Sequence, residues 1–434
     1  MPTLVCVPIT VEDVDAALAK AANAKARGAD IIEWRIDSYF PGSEGDTEDA
    51  YRVAQLQRLL AESPLPTILT CRSASEGGDY DGDDADRVSL LEKLTAACDT
   101  PPDYLDFELA AYTRSANIRQ KINLCVQHPK QARNIKTRLI LSLHDFDGIP
   151  SDLSRRLLAA YEEPACAIVK TAVFARSLRD NLSLFEVLRD APKPSIALGM
   201  GEFGLMSRVL TPKFGGFLTF ASLDHEAATA PGQPSLDDLL GMHRFRSIGA
   251  NTKVYGVIGW PVGHSMSPLI HNAGFGSVGH DGVYLPLPVA ANDDAEASYT
   301  SLNATLGALL DDAHLDIAGL SVTLPHKENT ARFAAQSDWH NDAAIGAVNT
   351  VAVGSSGVHV TNTDASAIIA LLERHRSAGA SLAAQPNAMR VGVVGAGGVA
   401  RAAAFAIVDA GDTAVLYNRT QSRAEQLAAD VNDA

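Results

Sequence analysis

Short apolar runs alternate with longer amphipathic stretches through the first 245 residues. The runs are LVCVPI (4–9), IIEWRI (31–36), PTILTC (66–71), YLDFEL (104–109), RLILSL (138–143), CAIVKTAV (166–173), SIALGM (195–200) and GFLTFA (216–221). They are rich in Ile, Leu, Val and Thr and nearly continuous in apolar character, as parallel strands covered on both faces must be. Between them lie helical patterns such as VEDVDAALAKAANAKARGA and SLRDNLSLFEVLRD. Eight strands with helices between, over about 240 residues, predict a (β/α)8 TIM barrel. An open α/β sheet shares the alternation, so counting alone does not separate the two.

A loop-like stretch, RSIGANTK (246–253), ends this block. A new α/β pattern starts at VYGVIG (254–259), with further strands expected at VYLPLPV, LSVTL and NTVAV. The stretch SAGASLAAQPNA (377–388), rich in Ala and Ser, reads as a domain joint. After it come MRVGVVGAGGVARAAAFAIVDAG and TAVLYNRT, and the chain stops inside a helical pattern. The expected regions are a barrel over 1–246, an α/β domain over 253–376 and a partial Rossmann domain over 388–434.

Composition changes this picture only by exclusion. The 434 residues are too many for one ordinary core. Hydrophobic residues at 46% and charged residues at 20% are those of a globular chain rather than a disordered one. Against 36 basic residues stand 52 acidic ones, a net charge of -16, which argues against a nucleic-acid surface. An anionic substrate must then be met by a few local cations. The five cysteines are odd in number, form no CxxC pair and have no metal-site spacing, as expected of reduced thiols in a cytoplasmic protein. The N-terminus has no basic segment followed by a long apolar run, so no signal peptide, transit peptide or membrane span is expected.

The strand ends of the first block carry its chemistry. Glu33 and Arg35 sit in EWRID, Arg72 and Glu76 in TCRSASEGG, His144 in SLHDF and Lys170 in IVKTAV. Arg208 follows in GMGEFGLMSR, and Thr229 and Gln233 in TAPGQ. In a barrel these positions converge on one mouth. Lys170 lies in an apolar run, where burial lowers an amine's pKa, and Arg35, Arg72 and Arg208 are expected to lower it further by like-charge repulsion. A neutral amine can attack a ketone and form a Schiff base. His144, titrating near 7, is the natural base for the C–H acidified by that imine, with Glu76 holding its tautomer. The arginines suit a substrate carboxylate. Singly, each has a plainer reading: a snorkelling lysine, a loop histidine, structural ion pairs, loop caps. Their joint placement at successive strand ends favours a site.

In that order, EWRID, CRSASEGG, SLHDF, IVKTA, MGEFGLMSR and TAPGQ resemble type I 3-dehydroquinate dehydratase over roughly residues 1–245. The resemblance implies a lyase that takes 3-dehydroquinate to 3-dehydroshikimate through a lysine imine, with no added cofactor. It makes Lys170 the imine former, His144 the proton-transfer group and Glu76 its assistant. Glu33, Arg35, Arg72, Arg208, Thr229 and Gln233 become substrate binders, Thr229 standing where the family often has Ser.

In the second block, GWPVGHSMSP, SVTLPHK, GAVNT and TNTD stand out. Ser265 and Ser267 straddle Met266, so both hydroxyls are expected on one side of an extended segment. Lys327, Asn349 and Asp364 are expected at the ends of strands, where a Lys–Asp pair can relay a proton to a carbonyl during hydride transfer. Alone, each is more often a turn former or cap. GAGGVA (395–400) follows a strand and opens a helix, a Rossmann variant fit for a pyrophosphate. Where an acid would take the ribose of NAD, the chain has Asn418, Arg419 and Thr420, and Arg419 suits the 2′-phosphate of NADP. These patches resemble shikimate dehydrogenase. That resemblance implies NADPH-dependent reduction of 3-dehydroshikimate to shikimate. Lys327 and Asp364 would be the catalytic pair, with Ser265, Ser267, Thr323 and Asn349 binding substrate. Gly395, Ala396, Gly397, Gly398, Asn418, Arg419 and Thr420 would hold NADP(H).

Two departures from the second family follow. NTDASAI lacks the Gly that commonly follows the motif's aspartate, which predicts tighter packing near Asp364. Only β–α–β and part of a helix of the nucleotide fold precede residue 434, so the nicotinamide-binding half lies outside this sequence. The leading expectation is a multifunctional enzyme of consecutive steps in aromatic amino-acid (chorismate) biosynthesis, dehydrating well and, as written, reducing poorly. The alternatives are a dehydratase with an inactive shikimate-binding module, or a ligand-sensing regulator. Expected partners are the two small-molecule substrates, with no metal, nucleic acid or membrane.

Overall fold

A computed structural model describes residues 2–40, 45–131, 134–224, 229–341, 345–379 and 389–433. The chain divides into Met1–Thr252 and Lys253–Ala434.

The first unit holds eight parallel strands: β1 Leu4–Thr10, β2 Ile31–Arg35, β3 Thr67–Thr70, β4 Tyr104–Glu108, β5 Arg138–Asp145, β6 Cys166–Phe174, β7 Ser195–Met200 and β8 Leu218–Phe220. Their order is β7-β6-β5-β4-β3-β2-β1-β8. β8 lies in register on β1, and the Phe217 N–H donates to Ser195 O (2.8 Å), so the sheet curls to a nearly closed barrel. Helices between the strands start where the sequence supplies an acceptor. Asp13 caps Val14–Ala26, Asp83 caps Asp84–Leu94 and Ser115 caps Ala116–Cys125. Period-two alternation sends one face of each strand inward. Cys6, Ile31, Ile68, Tyr104, Ile140, Ile168, Ile196 and Leu218 form the apolar floor of the barrel.

The second unit holds a mixed sheet in the order β10-β9-β11-β13-β14-β12. Its strands are β9 Lys253–Gly259, β10 Gly282–Pro288, β11 Ile317–Val322, β12 His340–Asn341, β13 Thr350–Gly354 and β14 Gly357–Thr361. β15 Arg390–Val394 and β16 Thr413–Tyr417 make a separate parallel pair flanking the helix Gly398–Asp409. The helix Thr363–Gly379 runs into the expected joint, and residues 380–388 of that joint lie outside the described residues.

Three local expectations change. Met266, with helical backbone angles, is the N-cap and Ser267 opens the helix Ser267–Val278, because Pro268 fits a first turn, where no N–H is needed. The serines are therefore on a turn, with Ser265 Oγ accepting the Ser267 N–H at 3.3 Å. Lys327 opens the helix Lys327–Ala335 instead of closing a strand, since Pro325 cannot extend the ladder beyond Val322. Asp364 lies in the first turn of Thr363–Gly379, where Asn362 Oδ1 accepts its N–H at 3.0 Å.

Candidate active sites

Above the barrel floor the alternation continues with polar groups. On β2 the inward series is Ile31, Glu33, Arg35; on β4 Tyr104, Asp106, Glu108; on β5 Ile140, Ser142, His144; on β6 Ile168, Lys170, Ala172. Barrel interiors fill in layers drawn from alternate strands. One such layer comes from β2, β4, β6 and β8. Lys170 Nζ lies 2.9 Å from Asp106 Oδ2, 3.3 Å from Glu33 Oε1 and 4.7 Å from the Phe220 ring centre. The next comes from the odd strands, with Arg72, just past β3, donating to Ser142 Oγ (2.9 Å) and Asp106 Oδ1 (2.6 Å). Burial alone would raise the Asp106 carboxyl, but Arg72 and Lys170 outweigh it and hold it well below the usual range.

These layers form the base of a cavity of about 610 Å³. Glu33, Arg35, Arg72, Glu76, His144, Lys170, Arg208, Thr229 and Gln233 all line it, beside Phe146, Leu198, Met200 and Phe220. The expected surround of like charge on Lys170 is not what the chain builds. Its nearest groups are the carboxylates of Asp106 and Glu33, brought to it by the inward faces of β4 and β2. The arginines differ as well. Arg35 is bidentate to Asp37 (2.9 and 2.8 Å), and Arg72 pairs with Asp106 and Glu108. Arg208 is 2% exposed and has no acidic partner among the described residues; its Nε donates to Gly199 O at 3.0 Å. Burial pushes its pKa down to about 10.

His144 and Glu76 form a pair, with Nδ1 2.9 Å from Oε2, and the same oxygen accepts the His144 backbone N–H at 3.1 Å. Burial, then Arg72 and Lys170, holds the imidazole well below its ordinary value, so the expectation of a histidine titrating near 7 is corrected. Burial pushes Glu76 up to about 7 against the pull of Arg72. Burial thus disfavours the charged form of both partners, and neutral imidazole is the resting base. At the rim, Gln233 Oε1 accepts from the Thr229 N–H (3.1 Å) and hydroxyl (3.3 Å). Gln233 Nε2 stays buried without a partner among the described residues. The loop approaches so closely that a Cβ on Gly232 (φ +73°) would meet Gly201 O at 2.1 Å.

In the second unit, Ser265, Ser267, Thr323, Lys327, Asn349 and Asp364 line one cavity of about 920 Å³. Lys327 is buried and its Nζ bonds the Asp364 carboxylate. Asn349 Oδ1 accepts the Thr363 N–H (2.9 Å) and Nδ2 donates to the Thr363 hydroxyl (3.0 Å), tying β13 to the helix that carries Asp364. Ala365, where the family pattern has Gly nearby, packs into a cluster with Ala402 and Ala406, so the added methyl is buried. Lys327 also borders a second cavity, of about 1260 Å³, with Ala396, Gly397, Gly398 and Arg401. Gly395 has φ +121°, and a Cβ on Gly398 would lie 3.0 Å from Lys327 Cβ. Gly397 caps the helix Gly398–Asp409 without a side chain, leaving its first N–H groups open to an anion. The Gly395 N–H bonds Tyr417 O (2.8 Å), which sets this turn beside Asn418, Arg419 and Thr420. Asn418 Nδ2 bonds Thr420 O at 2.8 Å, and Arg419 is exposed.

Residues 5–250 match the family model for type I 3-dehydroquinase. The chain belongs to that family. Residues 257–351 match the shikimate dehydrogenase substrate binding domain. A bifunctional 3-dehydroquinate dehydratase/shikimate dehydrogenase, chloroplastic, of Arabidopsis thaliana is 36% identical over 98% of this chain and 66% of its own length. A pentafunctional AROM polypeptide of Mycosarcoma maydis is 33% identical over 93% of this chain and 23% of that polypeptide. A 3-dehydroquinate dehydratase of Methanosarcina mazei is 34% identical over 51% of this chain and 87% of its own length. The chain thus spans just under two thirds of the first of these relatives and about a quarter of the second.

Within this type I 3-dehydroquinase barrel, Asp106, Glu108, Ser142 and Arg87 are the site-supporting residues the sequence reading missed. Arg87, fully buried, bonds Glu108 (2.7 Å) and Cys71 O (3.0 Å), and Glu108 in turn bonds the Ser73 N–H (2.9 Å) beneath the Glu76 loop. A signal existed: two acids at alternate positions of the apolar run YLDFEL share one face.

Proposed function

We propose that this polypeptide is a bifunctional shikimate-pathway enzyme. Its barrel, residues 1–246, would dehydrate 3-dehydroquinate. Its second unit would reduce the product to shikimate, with a substrate domain over 253–376 and a nucleotide-binding part over 388–434. The carrying observation is Lys170 at the base of a cavity whose walls hold the His144–Glu76 pair and a buried Arg208 without an acidic partner among the described residues.

Asp106 and Glu33 hold Lys170 in place, and its amine must shed a proton before it attacks the ketone. The carbinolamine loses water to give the imine. His144 removes the proton next to the imine carbon, and the resulting enamine expels the β-hydroxyl, which leaves as water with that proton. Hydrolysis of the imine takes back the first water and frees Lys170, so the net change is loss of one water. Arg208, with Gln233 Nε2, is the natural seat for the substrate carboxylate, because among the described residues the guanidinium has no acidic partner and Nε2 has no acceptor. Glu33, Arg35, Arg72 and Thr229 face the hydroxyls and the carbonyl.

In the second unit the Gly-rich turn and Arg419 fit NADP(H), the phosphates by open N–H groups and the 2′-phosphate by charge. NADPH when bound supplies the hydride. Lys327 delivers a proton to the carbonyl oxygen and Asp364 restores it, while Ser265, Ser267, Thr323 and Asn349 orient the ring. Among the described residues no helix is long and apolar enough to cross a membrane, and no group of three or more His, Cys, Asp or Glu side chains could hold a metal. Its five cysteines are thiols, as in a reducing cytoplasm.

Borohydride with 3-dehydroquinate is expected to trap a covalent adduct on Lys170 and abolish dehydration. Absence of an adduct, or full activity in Lys170→Ala, sinks the imine mechanism. NADPH oxidation by 3-dehydroshikimate that disappears in Lys327→Ala tests the second activity. A wild-type chain that binds shikimate without turnover would favour the dehydratase-only alternative.

A further inference from the structure

Asp37, the last residue of EWRID, is fully buried, is not among the cavity-lining residues, and joins the two halves of the barrel site. Its Oδ1 accepts Arg35 Nε–H (2.9 Å) and its Oδ2 accepts Arg35 Nη2–H (2.8 Å), a fork-to-fork pair that leaves the other edge of the guanidinium toward the cavity. Oδ2 also accepts the Asp79 backbone N–H at 3.0 Å. Asp79 lies in the loop that leaves β3 and carries Glu76. That loop is pinched at its base, where the Ala74 N–H bonds Tyr80 O (2.8 Å) and the Tyr80 N–H bonds Arg72 O (3.1 Å). Ser38, next to Asp37, adds a bond from its hydroxyl to Asp79 Oδ2 (2.6 Å). One carboxylate thus fixes the aim of Arg35 and the height of the loop that sets Glu76 on His144.

We propose that Asp37 is a positioning residue for dehydration, acting on substrate affinity through Arg35 and on proton transfer through Glu76. This rests on the dehydratase reading of the barrel. All the groups around the carboxylate are donors: two N–H groups at Oδ2 and one at Oδ1. An amide in its place must turn an NH2 toward at least one of them, so Asn cannot reproduce the arrangement. Released, Arg35 regains the rotamer freedom of a long side chain, and small misplacements of reacting groups cost rate steeply.

The test is a pair of double-mutant cycles with kcat and KM measured separately. Asp37→Asn is expected to lower kcat/KM by about 10- to 100-fold, with KM raised and kcat lowered. In an Arg35→Ala background the KM effect of Asp37→Asn should shrink to under about threefold, and in a Glu76→Gln background the kcat effect should shrink likewise. Additive losses in either cycle overturn the proposal, since a merely structural carboxylate would weaken every background alike. Should Asp37→Asn fail to fold, Asp37→Glu, which keeps the charge but moves it by one methylene, is run through the same cycles with the same expectations. An Arg35→Ala variant with unchanged KM would overturn the substrate role of Arg35 and this inference with it. A strong Arg35→Ala effect with additive Asp37 losses overturns the inference alone.

Discussion

Replacing Arg208 with Met should make the barrel more stable and less active. The depression of Arg208 from 12.5 to about 10 corresponds to about 3 kcal/mol of charge desolvation that no acid among the described residues offsets. The sign is fixed by linkage: a base with a depressed folded pKa carries its full penalty at every pH below the folded value. At pH 7 the cost is therefore complete. Methionine removes the charge and keeps much of the apolar stem. It also leaves Gly199 O without the Nε donor, a loss of about 1 kcal/mol, and packs less well by a similar amount. The net expectation is a ligand-free protein stabilised by about 1 kcal/mol. Catalysis moves the other way. Two charge-assisted hydrogen bonds to a buried carboxylate contribute about 3–5 kcal/mol, so kcat/KM should fall roughly 100- to 5,000-fold. Thermal unfolding and absorbance of the conjugated enone product read the two quantities. The product should also raise the Tm of the wild type but not of the variant. A variant that is less stable yet keeps its kcat/KM would refute both the unpaired charge and the carboxylate seat.

Glu76, pushed up to about 7, favours its protonated form when folded. Glu76→Gln should therefore stabilise the protein by up to about 3 kcal/mol at pH 8, with the gain vanishing as pH falls below the ordinary carboxyl range; a pH-independent change in Tm would contradict this. Gly232→Ala places a Cβ 2.1 Å from Gly201 O at a φ of +73°. It should displace the Thr229–Gln233 loop and raise KM at least about tenfold, at a cost of about 1–2 kcal/mol for the backbone alone; an unchanged KM would show the loop is not held there. Arg419→Asp should cut the preference for 2′,5′-ADP over 5′-AMP about tenfold or more by calorimetry, and an unchanged ratio would remove Arg419 from the 2′-phosphate.

The sequence by itself determined which residues could face a barrel mouth. Apolar runs with a polar residue two steps beyond an inward-facing isoleucine fold with that residue above the floor, as with Ile168 and Lys170, Ile31 and Glu33, Ile140 and His144 beyond Ser142. It also determined the glycine turn at 395–398, because a φ of +121° at Gly395 admits little else. The tertiary structure alone decided which charges meet. Strands β2, β4, β6 and β8 supply one layer through the stagger of the barrel, a property of closure that no strand carries in its own pattern. That stagger puts Asp106 on Lys170 and turns an expected cationic surround into a carboxylate one. It also leaves Arg208, of the three barrel arginines named from sequence, without an acid among the described residues. The same holds for Lys327 and Asp364, which the sequence placed at strand ends. A proline that cannot extend a ladder and an asparagine cap moved both onto helix first turns, where they meet.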